Sequence, residues 1–123
     1  MKLQASTLTG SHFFTGYGEG YVLVNQARYE GSLVVMPERL WTEWGAKGFD
    51  ELCEADFAAL VPLEPDVVLL GTASRLRFPP RQLTRPLMQA RIGLEVMDLQ
   101  AACRTYNILV EEGRKVAAAL LLT

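Results

Sequence analysis

The stretch that decides the fold is "PDVVLLGTASRLRFPPRQLTRPLMQARIGLEVMDLQAACRTYNILVEEGRKVAAALLLT", residues 65–123. It opens with "PDVVLLG", a continuous apolar run of strand length, the pattern of a strand buried on both faces. A helical segment follows, then "RIGLEVMD", which reads as a second strand. Next comes a helix over "DLQAACRTYNILVEEGR" (98–114), then "RKVAAALLLT", a third near-continuous apolar run. The alternation is β-α-β-α-β, and its first crossover predicts parallel strands with right-handed connectivity. Pro86 falls inside the first helical segment, so either Thr84 caps a helix that starts late or the helix kinks there.

Working back towards the start, "CEADFAAL" (53–60) carries Phe57, Leu60 and Val61 at helical spacing with acids in its first turn, which predicts a short helix. Trp41 and Trp44 either begin a strand or cover a core edge. "YVLVN" (21–25) and "YEGSLVVMP" (29–37) predict a hairpin turning around Gln26 and Ala27, with Pro37 ending its second strand. "GYGEG" (16–20) lacks the G-x-G-x-x-G spacing and precedes a strand, so it reads as a turn and not a nucleotide loop. Residues 1–16 are polar and rich in Gly and Ser, and predict an irregular arm anchored by His12, Phe13 and Phe14. The remainder, 17–123, reads as one α/β domain.

At 123 residues the chain is long enough for one domain with a sizeable core. Hydrophobic residues make up 50% and charged residues 21%, as in a soluble globular protein. The net charge of −2 argues against non-specific nucleic-acid binding. The longest apolar run, "VAAALLL", is too short to span a membrane, and "MKLQASTLTG" has no signal-peptide core. These features predict a cytoplasmic protein. Cys53 and Cys103 lack framework spacing and read as free thiols, and with His12 as the single histidine no metal site is expected. No cofactor motif, catalytic elbow or paired-carboxylate arrangement is present.

Two constellations stand out. On the 98–114 helix, Asp98 is a plausible N-cap and Gly113 a plausible stop. Leu99, Ala102, Cys103, Tyr106, Leu109 and Val110 share its core face, which makes Cys103 a buried hydrophobe and not a nucleophile. Gln100, Arg104, Asn107 and Glu111 form a narrow polar stripe, with Ala101, Thr105 and Ile108 beyond it. The stripe therefore lies on a groove or interface, or is satisfied within the molecule. The second constellation is electrostatic. Arg75, Arg77, Arg81, Arg85 and Arg91 fall between Val67 and Leu94 with no acid among them, a local +5 that leaves −7 for the rest. The cluster follows the apolar strand, where α/β proteins bind ligands. Gly71, Thr72 and Ser74 could offer N–H groups and hydroxyls to an anion there, with Arg75, Arg77 and Arg81 adding bidentate contacts.

The stretches "YGEGYVLVN", "YEGSLVV", "PDVVLLGT" and above all "GLEVMDLQAACRTYNILVEEGRKVAAALL" resemble a small single-domain family of largely unknown function. That family includes mitochondrial respiratory complex I assembly factor three and an adipogenesis-associated cytosolic protein. This chain resembles a bacterial member, matching the signature at Met97, Asp98, Ala102, Arg104, Thr105, Tyr106 and Asn107. It departs at Ala73, where many relatives have Gly. The resemblance implies a three-layer α/β fold, its central mixed sheet flanked by helices on one side with further strands nearby. It implies no catalytic residues.

Three functions follow as expectations. The first is a non-catalytic protein-interaction or assembly-type factor, with the arginine cluster as docking surface for an acidic partner. The second is a small-anion-binding or enzymatic domain, with its site between the Gly71–Arg77 loop and the Arg104/Asn107 stripe. The third is a homo-oligomer with Trp41, Trp44 or the N-terminal arm at its contact.

Overall fold

A computed structural model describes residues 11–45 and 47–123. Its elements in chain order are β1 (Phe14–Gly18), β2 (Tyr21–Val24), β3 (Ala27–Tyr29), β4 (Leu33–Met36), β5 (Arg39–Thr42), α1 (Glu54–Ala58), β6 (Val67–Thr72), α2 (Arg81–Gln89), β7 (Gly93–Met97), α3 (Leu99–Glu111) and β8 (Val116–Leu121). The expected β-α-β-α-β run is β6-α2-β7-α3-β8. β6 pairs in parallel with β7 on one side and with β8 on the other.

Five strands form the main sheet in the order β5-β4-β8-β6-β7, and β4 is antiparallel to both β5 and β8, so the sheet is mixed. Alternation of side chains across this sheet divides the core in two. Leu33, Val35, Val67, Leu69, Val116, Ala118 and Leu120 face α3 and the small sheet. Val34, Met36, Val68, Leu70, Ala117, Ala119 and Leu121 face Phe57 of α1 and Leu87 of α2. Every residue of β6 and β8 is buried, which is why both read as unbroken apolar runs. Helices thus cover both faces of the sheet, not one. The α3 crossover has to return from β7 past β6 to β8, and it does so on the face that α2 leaves open.

The N-terminal region differs from its reading. The hairpin forms between β2 and β3, and its turn is Asn25-Gln26, both left-handed at φ 47° and 74°. A two-residue turn with both residues at positive φ matches strand twist, and Asn favours its first position. Leu33–Met36, expected in the hairpin's second strand, leaves after Tyr29 and joins the main sheet as β4. A further strand, β1, pairs with β2 to complete a three-stranded sheet. Within the segment read as an irregular arm, residues 1–10 lie outside the described residues, and β1 begins at Phe14. Trp41 lies in β5, while Trp44 is buried and donates its indole N–H to the Asp56 carbonyl at 3.0 Å. Trp44 is therefore core and is not available as a self-association contact.

Thr84 does not cap a late-starting helix at Pro86. α2 starts at Arg81, and Thr84 lies inside it, buried, its hydroxyl donating to the Arg81 carbonyl at 3.1 Å. Pro86 removes the N–H that the Gln82 carbonyl would receive, and Gln82 is exposed, where water can replace it. The α3 ends are as read. The Asp98 carboxylate accepts from Ala101 N–H at 2.9 Å. Gly113, at φ 84°, ends the helix, with Gly113 N–H to Val110 O and Arg114 N–H to Leu109 O, a Schellman pair.

α3 approaches the sheet at Gly71. A Cβ there would stand 2.7 Å from Leu120 Cδ2 and 3.1 Å from Ala102 Cβ. Gly71→Ala is expected to destabilise the protein by about 1–3 kcal/mol through overpacking, read as a lower urea midpoint with unchanged slope.

Candidate functional site

The residues singled out from the sequence separate into three places. Gly71 and Thr72 close β6. Gly71 is the packing point for α3. The Thr72 hydroxyl donates to the Arg75 carbonyl at 2.8 Å and accepts from Arg77 N–H at 3.2 Å, so it closes its own loop. Ala73 adopts a left-handed φ of 60°, the conformation in which glycine is at ease, and its carbonyl accepts from Leu99 N–H at 2.8 Å. The loop is thereby tied to the first turn of α3.

Beyond it the arginines diverge. Arg77 is engaged: its guanidinium donates to Asp50 Oδ1 at 2.7 Å and lies 4.1 Å over the Phe49 ring. Arg75, Arg81 and Arg85 are exposed, as are Leu76, Phe78 and Met88. Arg81, Arg85 and Met88 recur at helical spacing on the outer face of α2.

The third place is α3. Leu99, Ala102, Cys103, Tyr106 and Val110 of its expected core face are buried, Leu109 is partly so, and Phe14 meets Tyr106 edge to face at 5.0 Å. Burial pushes the Cys103 thiol up to about 12, so it stays a protonated hydrophobe, and the same cause raises the Tyr106 phenol. The Tyr106 hydroxyl donates to the His12 carbonyl at 2.9 Å. Asn107 accepts from Phe14 N–H at 3.0 Å and donates to Phe14 O at 2.8 Å, so its carboxamide imitates the next strand beside β1. Ile108 is 59% exposed, so the apolar surface beyond the polar stripe is open at that position. Arg104 is exposed on α3. Leu99 and Ala102 abut Gly71, whereas Asn107 lies about 7.5–12 Å further along the helix. The Gly71–Arg77 loop and Asn107 therefore do not form one site.

A cavity of about 750 Å³ does open beside Ala73 and Ser74, lined also by Tyr17, Gly18, Glu19, Gly20, Asp98, Leu99 and Gln100 and by Leu122 and Thr123. Of these residues the sequence had singled out Ser74 as a candidate ligand. In the sequence "GYGEG" reads as a turn and Asp98 as a helix cap, and nothing in the linear spacing joins the two.

Among the described residues no group of three or more His, Cys, Asp and Glu side chains could hold a metal ion. No helix among them is long and apolar enough to cross a membrane. Asn107→Ala is expected to cost about 1–3 kcal/mol, because it leaves the buried backbone of Phe14 without partners. Thermal or urea denaturation measures this, and a change near zero would mark Asn107 as a solvated group.

Comparison with known proteins follows the same architecture. A crystal structure from Bordetella parapertussis superposes with a TM-score of 0.85 at 37% identity, covering 92% of this chain and 97% of that one. A solution structure of a Bordetella pertussis protein, described as a Mth938-like domain, has a TM-score of 0.79 at 34% identity, covering 98% and 92%. NADH dehydrogenase [ubiquinone] 1 alpha subcomplex assembly factor 3 of Bos taurus is 30% identical over 111 residues, 89% of this chain. The chain spans 60% of that relative's length. Residues 14–121 match the family described as protein of unknown function (DUF498/DUF598), and the chain belongs to that family.

Proposed function

We propose that this chain is a non-catalytic, assembly-type protein that acts by binding a protein partner. The observation that carries the reading is the surface following β6. Arg75, Arg81 and Arg85 are exposed there together with Phe78 (69%) and Met88 (68%), and no acid lies between Val67 and Leu94. Exposed apolar side chains interspersed along the chain with one sign of charge suit a partner segment carrying acidic residues and an apolar anchor. The polar groups of α3 and of the β6 loop support the same reading from the other side, since Thr72, Tyr106 and Asn107 are engaged within the fold. The similarity to the Bos taurus assembly factor supports an assembly role, extended here to a bacterial protein of the cytoplasm. An anion site at Gly71, Thr72 and Ser74 is the weaker reading, because the Thr72 hydroxyl and the Arg77 guanidinium are already taken.

Reversal of Arg75 and Arg81 to Glu tests the surface. Arg77 is left alone because a carboxylate there would face Asp50. The double variant should melt with the wild type, and tagged protein purified from its host should lose a partner that the wild type retains. Identical partners on both proteins, or none on the wild type, would remove this surface from the account.

A further inference from the structure

The cavity beside Ser74 is independent of the arginine surface. It lies past the carboxyl ends of all three parallel strands, with Ala73 and Ser74 after β6, Asp98 to Gln100 after β7, and Leu122 and Thr123 after β8. The chain leaves β6 towards α2 on one face of the sheet and leaves β7 towards α3 on the other. Neighbouring parallel strands whose connections part to opposite faces open a crevice between them, the place where open α/β sheets bind ligands. The tip between β1 and β2, Gly18 to Gly20, forms a further wall. At about 750 Å³ the cavity falls within the range of small-ligand sites.

Its chemistry is not that of an anion site. The α3 N-terminus borders it, but the N–H of Leu99 is taken by the Ala73 carbonyl and that of Ala101 by the Asp98 carboxylate. The full negative charge of Asp98 outweighs the half-charge of the helix end that it caps. Glu19 adds a second acidic residue from the β1–β2 tip, and no lysine or arginine occurs among the described residues lining the cavity. Ser74 and Gln100 contribute a hydroxyl and an amide, and Tyr17, Leu99 and Leu122 contribute apolar surface.

We propose that this cavity binds an ammonium or guanidinium group carried on a short apolar stem, held between the carboxylates of Glu19 and Asp98. A carboxylate offers about four acceptor sites, so Asp98 can cap α3 and still accept from a ligand. The stem lies along Tyr17, Leu99 and Leu122. Either a free amine or a lysine or arginine side chain of a bound polypeptide has this chemistry.

Titration of the labelled full chain by amide NMR tests the proposal, with agmatine, the blocked tripeptide acetyl-Gly-Arg-Gly-amide and inorganic phosphate as probes. The expected result is saturable shifts at Gly18–Gly20, Ser74 and Leu99–Gln100 with a cationic probe and none with phosphate. Tighter binding of the tripeptide identifies a polypeptide side chain as the ligand, and tighter binding of agmatine identifies a free amine. Glu19→Gln and Asp98→Asn should each weaken binding about tenfold. Both keep the fold, since Glu19 is exposed and Asn caps helices as well as Asp does. No saturable shift with either cation, shifts that survive both substitutions, or phosphate as the probe that binds would each overturn it. Loss of this binding site would leave the partner lost on Arg75/Arg81 reversal untouched, so the two readings fail separately.

Discussion

The carboxamide of Asn107 ties the small sheet of this protein to α3. β1 is an edge strand, and the Phe14 N–H and C=O point away from β2 towards α3. Asn107 meets both groups at once, as a neighbouring strand would, and Tyr106 secures the carbonyl of His12 beside it. His12 in turn sends its N–H to Pro37 O and its ring Nδ1 to the carbonyls of Met36 and Arg39, at the turn between β4 and β5. With two carbonyls as its neighbours, Nδ1 carries the proton. The small sheet is thereby fastened to α3 and to the main sheet by polar contacts at the margin of a largely apolar interface.

Those contacts assign most of α3's polar chemistry to architecture. A row of cysteine, arginine, threonine, tyrosine and asparagine looks like a site when written as a line. In three dimensions Cys103 is buried hydrophobe, Tyr106 is an aromatic anchor with its hydroxyl satisfied, and Asn107 is a surrogate strand. The same holds in the loop after β6. Thr72 holds the loop closed, and the Ala73 carbonyl receives the first N–H of α3. What remains for function is what the fold does not consume, namely the exposed arginines and apolar residues from Arg75 to Met88, and the cavity under the β1–β2 tip.

The sequence carried the second half of the fold well because its signals there are strong. Val67–Leu70 and Val116–Leu121 are buried on both faces and read as unbroken apolar runs, and Asp98 and Gly113 bracket α3 with recognisable caps. It carried the first half less well. β3 has three residues, too short to show alternation, and the change of sheet between Tyr29 and Leu33 leaves no mark in composition. β1 lies partly in a stretch whose Gly and Ser content reads as irregular, and beyond its pairing with β2 it is held by a residue 93 positions away. The cavity was hidden for the same reason. Glu19, Ser74 and Asp98 come from three separate turns, and only the crossing of α3 behind β6 brings them to one cavity.

Asn107 stands in for a neighbouring strand on the open side of β1. Hydrogen exchange of the Phe14 amide tests it, because Asn107 Oδ1 is the acceptor of that N–H. The account predicts slow exchange at Phe14 in the native protein. In Asn107→Ala it predicts a loss of protection centred on Phe14 and its neighbours in β1, while β6 and β8 stay protected under conditions where the variant remains folded. Fast exchange at Phe14 in the native protein, or equal protection in the two proteins, would contradict it and return Asn107 to the list of residues available for function.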